Sequence, residues 1–201
     1  MSLRESVLRR ALHSALTLVM FALLLAGLVQ LAGAASIQAK ASLAPLLIER
    51  AWQRTLANGQ VGAKPWPWAD THPVGQLEFP GMGKTLTVLA SDRGNALAFG
   101  PGHAQDSAPL GRPGVAVIGG HRDTHFQFLR EVTPGAEIYL ALPNGERQRY
   151  RITHRRVIDA QDPLGLAEVD HAALLLVTCF PFDTLQAGGS LRYIVTALPI
   201  T

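Results

Sequence analysis

Three residues of this chain, Cys179, His121 and Arg192, have side chains that can act together on a carbonyl group. A thiol that has lost its proton is the nucleophilic form of cysteine. A nearby imidazole can take up that proton and later give one to a leaving amine. A guanidinium can hold the carbonyl oxygen as negative charge develops on it. The residue types therefore indicate covalent thiol chemistry, provided that the fold brings the three together.

The sequence around each of these residues indicates a strand end. The strand-like run Val115–Ile118 leads into two glycines and then His121. The apolar run Leu174–Val177 leads to Thr-Cys179, and Arg192 stands near the start of a further strand-like run. Residues at the ends of neighbouring strands meet at one edge of a sheet, so this order predicts that all three lie at one edge.

Cys179 is the single cysteine of the chain. It cannot form an intramolecular disulfide, and an unpaired thiol in an oxidising compartment is a liability unless it is buried or has a function. The structural alternative is a small buried residue in a strand. The neighbouring residues favour a nucleophile.

Four other residues near the candidate site have simpler interpretations. His125 follows His121 by four residues, but no third ligand stands at metal-binding spacing, so no metal site and no cofactor are predicted. Asp123 can orient the histidine or cap a following helical turn, and we favour the cap. His103 can line the entrance or close a turn, and we favour the turn. Thr178 points to the opposite face from its neighbour if the strand is regular.

The N-terminal region predicts a membrane anchor at residues 14–36. Arg4, Arg9 and Arg10 precede a run without charged residues that is longer than the 20 or so apolar residues needed to cross a bilayer. The basic side predicts a cytoplasmic segment at residues 1–13, with the rest of the chain on the outer, periplasmic face of the inner membrane. A cleaved signal peptide is the alternative, because Ala32-Gly33-Ala34 fits a cleavage site.

The remainder divides into a helical stalk and Pro/Trp-rich linker at residues 37–73 and a mainly β domain at residues 74–201. In the linker, prolines exclude regular structure over 64–73, and we expect a loop whose two tryptophans pack on the domain surface. Many short strands separated by turns predict a barrel or a sandwich. Short helices are expected at Thr124–Glu131 and within 161–171. The predicted strands are Gly75–Phe79, Thr85–Ala90, Gly114–Ile118, Glu137–Leu142, Arg147–Asp159, Ala173–Cys179 and Leu191–Leu198.

The charge pattern argues against a nucleic-acid partner. Net charge is only +3. The one basic run lies in a predicted strand, where alternation gives a solvated face, and no aromatic platform accompanies it. Its members are Arg147, Arg149, Arg151, Arg155 and Arg156.

Taken together, these motifs resemble the sortase family over residues 74–200. The resemblance rests on Gly-Gly-His121-Arg-Asp-Thr, on Thr-Cys179 at the end of an apolar strand, and on a strand-borne Arg192 about a dozen residues later. The segment Ala96–His103 also resembles one that many sortases carry. The usual Thr-Leu-x-Thr-Cys is Leu175-Leu-Val-Thr-Cys here, a departure expected to affect packing rather than chemistry. The Trp-Pro-Trp loop and Leu-Glu-Phe-Pro resemble the marine proteobacterial branch.

The resemblance implies a closed, eight-stranded β-barrel and a cysteine transpeptidase. Cys179 would be the nucleophile that forms a thioester, His121 the general acid and base, and Arg192 the residue that stabilises the oxyanion. The substrate implied is an exported protein with a C-terminal LPxTG-like sorting signal, transferred to an amine acceptor. In the marine branch, the implied client is a companion protein with a von Willebrand-type domain.

Two alternatives differ in what they predict. A peptidoglycan-acting L,D-transpeptidase also orders histidine, cysteine and arginine, but it has glycine before the cysteine and arginine two positions after it. Thr178 and Pro181 occupy those positions here. A non-catalytic, membrane-tethered β domain that binds a partner predicts a buried, inert Cys179. Serine hydrolases are disfavoured because the chain has no Gly-x-Ser-x-Gly motif.

Overall fold

A computed structural model describes residues 3–58, 62–162, 171–184 and 189–200. The part of the predicted helix within 161–171 that falls at residues 163–170 lies outside the described residues. One long helix precedes eight strands, with short 3₁₀ helices at Pro80–Met82, Gly94–Ala98 and Gln127–Arg130. The α-helix and the strands are α1 (Leu3–Asn58), β1 (Pro73–Phe79), β2 (Lys84–Leu89), β3 (Gly102–His103), β4 (Gly114–Gly119), β5 (Glu137–Ala141), β6 (Arg147–Asp159), β7 (Ala172–Cys179) and β8 (Leu191–Pro199).

The strands form a closed barrel in the order β1-β2-β3-β4-β7-β8-β6-β5. Pairing of β1 with β5 closes it. β4 runs parallel to β7, and β2 runs parallel to β3, whereas the other neighbours are antiparallel. The predicted eight-stranded barrel is therefore confirmed, and the sandwich alternative is not what forms.

The strand predictions from sequence agree closely with the fold. β6 has the predicted bounds, and six other strands differ from their predictions by at most two residues at either end. The two-residue β3 was missed, because its pairing depends on Leu89 of β2 and Gly119 of β4 rather than on a local pattern.

The barrel core explains why the sequence of β7 is apolar without interruption. Leu174 and Leu176 belong to the interior core of the barrel. Leu175 points to the other side and packs with Val117 of β4 and Ile194 of β8 in a second, outer cluster. A strand that is buried on both faces reads as a continuous apolar run, as is usual where strands pair in parallel.

The helix α1 contributes to two compact units of the chain, one up to Leu43 and one from Ala44 onward. In the first unit, the 24-residue stretch His13–Ser36 has a mean hydropathy of 2.3 and no buried part, so it is long and apolar enough to cross a membrane. Pro45 lies within the helix, just after the point where the second unit starts.

The last turns of α1 belong to the same unit as the barrel and pack on it. Ile48 is buried in a cluster with Leu89 of β2 and Ala96. The Glu49 carboxylate accepts hydrogen bonds from Gln76 Nε2 at 3.1 Å and Thr87 Oγ1 at 3.2 Å, which tie the helix to β1 and β2. This end of the helix is therefore held by both apolar and polar contacts.

The proline-rich loop before β1 packs only one of its two tryptophans. Trp66 contacts the Phe99 ring edge to face, with centroids 5.3 Å apart. Trp68 is 82% exposed. The expectation that both rings pack on the domain is therefore wrong for Trp68.

The basic strand β6 presents its arginines to solvent, as predicted. Tyr150 and Ile152 face the core, and burial raises the pKa of Tyr150 to about 12. Arg147 and Arg151 are exposed and pair with acidic side chains, Glu78 of β1 and Glu137 of β5 respectively. Two of the five arginines of this run thus have carboxylate partners, and Arg155 donates to the Val132 carbonyl.

Candidate active site

The parallel pairing of β4 with β7 brings two chain segments together at their carboxyl ends. Every Cα pair in this ladder, from Gly114 with Ala172 to Gly119 with Val177, joins residues 58 positions apart. His121 and Cys179 are also 58 positions apart, and each follows the last pair by two residues. The two therefore continue the register of neighbouring strands and leave the barrel at the same edge.

Arg192, the third candidate residue, lies opposite Cys179 on β8, the strand on the other side of β7 from β4. Cys179 and Arg192 are Cα partners in the antiparallel ladder of β7 with β8. Side chains directly opposite in such a ladder emerge on the same face, with Cβ atoms about 4.5–5.5 Å apart. The thiol is free and partly exposed, so it is open to reagents and substrates. The structure thus brings all three predicted residues to one edge: Cys179 and Arg192 on the neighbouring strands β7 and β8, and His121 in the loop just after β4.

The backbone before His121 is fixed to β7. The Gly120 N–H donates to the Val177 carbonyl at 3.1 Å, and the Thr178 hydroxyl donates to the Gly120 carbonyl at 2.7 Å. A Cβ at Gly120 would approach the Phe126 ring to 2.7 Å, which is closer than real Cβ contacts. Glycine therefore lets the Phe126 ring pack directly against the backbone just before His121.

The segment after His121 begins with a tight turn, and the short helix predicted at Thr124–Glu131 is present as a shorter 3₁₀ helix. The Phe126 N–H donates to the His121 carbonyl at 2.9 Å, and only Gln127–Arg130 forms a 3₁₀ helix. The prediction that Asp123 caps the following helical turn is wrong. The residue at the cap position of that short helix is Phe126, and no side-chain cap bond forms there. The Asp123 carboxylate instead accepts from Arg122 Nε at 3.1 Å.

Arg192 is held by carbonyl groups next to it in the chain. Its Nη1 donates to the Gly189 carbonyl at 2.6 Å and to the Leu191 carbonyl at 2.9 Å. Asp159 of β6 lies nearby, and its pKa is below the ordinary value, chiefly because the Gln161 backbone N–H and the Ser190 hydroxyl donate to it, with a smaller contribution from the Arg192 charge.

Three aromatic rings, two from the segment after Cys179 and one from β8, pack together. Phe180 follows Cys179 and stacks on Tyr193 with centroids 6.3 Å apart. Phe182 meets the Tyr193 ring edge to face at 5.2 Å. Tyr193 is the ladder partner of Thr178 and not of Cys179, and Phe182 and Tyr193 pack against the barrel core, so this cluster supports the end of β7 from the core side.

A family model described as the sortase domain matches residues 77–200, which contain the whole barrel apart from the start of β1. The chain belongs to the sortase family. Sortase D of Bacillus subtilis (strain 168) is 31% identical over 129 residues, which are 63% of this chain and 64% of that protein. The match thus spans less than two thirds of that relative's length.

Solved sortase structures share the fold at lower identity. A Clostridium perfringens Sortase D5 transpeptidase superposes with a TM-score of 0.63 at 21% identity, covering 80% of this chain and 99% of that one. Sortase A from Corynebacterium diphtheriae gives a TM-score of 0.59 at 23% identity, covering 80% and 85%. Sortase C-1 from Actinomyces oris gives 0.57 at 22%, covering 64% and 75%. At these identities the likeness shows the sortase fold alone.

The other histidines near the sortase site have structural surroundings. The His103 ring lies 2.9 Å from the Ala108 carbonyl and 3.2 Å from the Ser107 hydroxyl, so it closes the turn as expected. Burial lowers the pKa of His125, a bond to the Ala98 carbonyl opposes this, and the nearby His121 adds to the lowering. Within the described ranges, no group of three or more His, Cys, Asp or Glu residues is arranged to hold a metal ion.

A surface cavity of 530 Å³ lies beside this edge of the sortase barrel. The start of β2, from Lys84 to Leu86, and residues 124–131 line most of it. The Lys84 amine stands 5.6 Å from the Phe128 ring centroid in its wall. None of the three candidate catalytic residues lines the cavity, so it adjoins the site without containing it.

Sequence reasoning missed one residue of the sortase site and undervalued another. Arg122 reads as an ordinary charged loop residue, yet it is 5% exposed and contacts the segment after Cys179. Thr178 was expected only to face away from the thiol, and it is indeed buried. Its hydroxyl also fixes the residue before His121. The signal that could have found Arg122 is its position directly after the candidate histidine.

Proposed function

We propose that this chain is a membrane-anchored cysteine transpeptidase that cleaves a C-terminal LPxTG-like sorting signal of an exported protein and transfers the protein to an amine acceptor. The observation that carries the proposal is the register that brings His121, Cys179 and Arg192 to one barrel edge. Membership of the sortase family supports the same activity.

In the first half-reaction, the Cys179 thiolate attacks the scissile carbonyl of the sorting signal. The carbonyl oxygen becomes negative in the tetrahedral intermediate, and the Arg192 guanidinium donates to it. A guanidinium has five N–H donors, so bonds from Nη1 to carbonyls can hold the side chain while other donors face the substrate. His121 protonates the departing amine, and the carbonyl carbon remains bound to sulfur as a thioester.

In the second half-reaction, His121 takes a proton from the incoming amine. The amine nitrogen attacks the thioester carbonyl, the carbon–sulfur bond breaks, and Cys179 is released as thiolate. No cofactor takes part in either half-reaction.

The proposal includes the location of the domain. The apolar stretch His13–Ser36 supports a single-pass anchor in the inner membrane, and the basic residues before it favour a catalytic domain on the periplasmic face. A client protein with a von Willebrand-type domain and its own sorting signal fits this location.

The test is covalent capture of the acyl-enzyme. The full chain in detergent micelles is incubated with a pool of LPxTG-like peptides, and intact-protein mass spectrometry records the adduct. We expect an acyl adduct that disappears when an amine is added and that is absent in Cys179→Ala and His121→Ala. His154→Ala serves as the matched control, because His154 is an exposed histidine of β6 and its loss should leave the adduct unchanged.

Other outcomes contradict the proposal in distinct ways. Adducts with peptidoglycan stem peptides alone would indicate an L,D-transpeptidase. No adduct with either class, together with a Cys179 that resists alkylation until the chain unfolds, would indicate a tethered binding domain.

A further inference from the structure

Arg122 is a buried cation between two exposed neighbours in the loop that carries His121. Its side chain is 5% exposed, and all three of its nitrogens donate hydrogen bonds. Nη1 donates to the Pro181 carbonyl at 3.0 Å, Nη2 to the Thr184 carbonyl at 3.1 Å and Nε to Asp123 at 3.1 Å. Two of these three bonds go to the segment that follows Cys179, about 60 residues away in sequence.

Together with the bonds of Gly120, these bonds connect the residues before and after His121 to the chain around Cys179. Before His121, Gly120 is bonded to Val177 and Thr178 on β7. After it, Arg122 is bonded to the backbone two and five residues beyond Cys179. The residue on each side of the histidine is thus hydrogen-bonded to the chain on the same side of the cysteine, by its backbone at Gly120 and by its side chain at Arg122.

The chemistry of this contact favours a positional role over a stabilising one. Burial of a charge costs free energy, and replacing buried charges by apolar residues is often neutral or stabilising. A guanidinium, however, presents several donors in a rigid planar fork and can bond two carbonyls at once. An ammonium is a compact point charge and does not reproduce that geometry.

We propose that Arg122 is a positioning residue that sets the distance and orientation between the His121 imidazole and the Cys179 thiol. It acts through the carbonyls of Pro181 and Thr184 and does not touch the substrate. This inference rests on the proposed thiol catalysis, in which the His121 imidazole must lie close to the carbonyl that Cys179 attacks, so that it can protonate the departing amine and take a proton from the incoming one. A displacement of about 1 Å between reacting groups can reduce a rate by about 100-fold.

The chain offers a matched control for the same pair of segments. Arg130 Nη1 contacts the Asp183 carboxylate at 3.1 Å, so a second arginine joins the histidine loop to the cysteine loop. This contact is at the surface, with side chains 42% and 88% exposed. Exposed ion pairs contribute little, so Arg130→Gln should behave as wild type in every assay below.

The experiment is a double-mutant cycle that needs no substrate. Cys179 of the full chain in detergent micelles is alkylated with iodoacetamide across the pH range in which imidazoles and thiols titrate. The proteins are wild type, His121→Ala, Arg122→Gln, their double variant and Arg130→Gln, each checked for folding by near-UV circular dichroism. We expect Arg122→Gln to change the rate and its pH profile as His121→Ala does, and the double variant to change them no further. Should Arg122→Gln fail to fold, Arg122→Lys, which keeps the charge but not the fork, takes its place.

Peptide acylation provides the second readout. In Arg122→Gln we expect kcat to fall about 100-fold while KM stays near the wild-type value, because the residue does not bind peptide. A folded Arg122→Gln that alkylates and acylates like wild type would overturn the inference. So would a His121→Ala variant with unchanged alkylation, or an effect of Arg122→Gln that is equally large without His121.

Failure of the proposed function looks different. If the alkylation cycle gives the expected result but no peptide forms an acyl adduct, the positioning role stands and the transpeptidase assignment fails. If wild type and Arg122→Gln turn over peptide equally, the assignment stands and the positioning role fails.

Discussion

Replacement of Trp52 by alanine is expected to destabilise the barrel, although the residue lies in the helix that continues from the apolar anchor. Trp52 is fully buried, and Ala44, Ile48 and Ala51 on the same side of α1 are at most 4% exposed. This spacing is one face of a helix, and only the rest of the unit from Ala44 onward can cover it.

The size of the effect follows from what the tryptophan contributes. Truncation of a buried aromatic side chain to alanine costs about 3–5 kcal/mol. Among the described residues, Trp52 Nε1 has no hydrogen-bond partner, so its removal also relieves a buried unpaired donor. We therefore expect a loss of about 3 kcal/mol in the free energy of unfolding. For a domain of 150–250 residues this lowers Tm by about 6–12 °C.

The assay is thermal unfolding of the full chain in detergent micelles. The unfolding is monitored by near-UV circular dichroism, because that signal comes from the packed aromatic side chains of the barrel. Leu46→Ala is the control, because Leu46 lies on the same helix and is 49% exposed. A surface change of this kind should stay within about 0.5 kcal/mol of wild type. A Tm for Trp52→Ala within about 2 °C of wild type would show that the helix does not support the barrel. In that case a fragment beginning at Ala44 would melt at the same temperature as one beginning at Gly62. We expect instead that the longer fragment melts at the higher temperature.

Three further changes test the site. Gly120→Ala should destabilise the domain by about 1–3 kcal/mol and slow acylation, because the new Cβ would collide with Phe126. Denaturant unfolding measures the stability, and single-turnover kinetics measure the acylation rate. Thr178→Val removes the hydroxyl that donates to the Gly120 carbonyl, so it should lower the free energy of unfolding by about 1–3 kcal/mol and slow acylation. Thr178→Ser keeps the hydroxyl and should keep the acylation rate. Equal acylation rates in the two variants would contradict this role of the hydroxyl. Burial holds the pKa of His125 below 6.5, so the unfolded chain binds more protons as the pH falls, and stability is lost below about pH 6.5. Denaturation at about pH 7 and pH 5 should show a smaller loss in His125→Gln than in wild type.

The parts of the fold that could be predicted from the sequence are those encoded locally. Strand β6 alternates polar and apolar residues around Tyr150 and Ile152, and a period of two is a strong signal. β7 has a short apolar run that ends in Thr-Cys179, and its length and flanking turns identified it. The same local signals put His121 and Cys179 at strand ends.

The parts that were missed depend on contacts distant in sequence. The two residues of β3 are a strand only because β2 and β4 pair with them. The short helix expected at residues 124–131 does form, but the bond from Phe126 back to His121 closes a turn first and leaves only four residues in a 3₁₀ helix. The burial of Arg122 follows from carbonyls of a segment about 60 residues later, which no local pattern reports.

The constant offset in the parallel ladder of β4 and β7 has a consequence for evolution and engineering. The separation of the histidine from the cysteine in space is set by strand pairing, and the length of chain between them does not enter it. That intervening chain contains β5 and β6, joined by a hairpin at Asn144-Gly145. Exposed hairpin tips tolerate insertions, so an epitope or a whole domain inserted there should leave the catalytic edge intact. Family members can therefore differ in length between these two residues and keep the same chemistry.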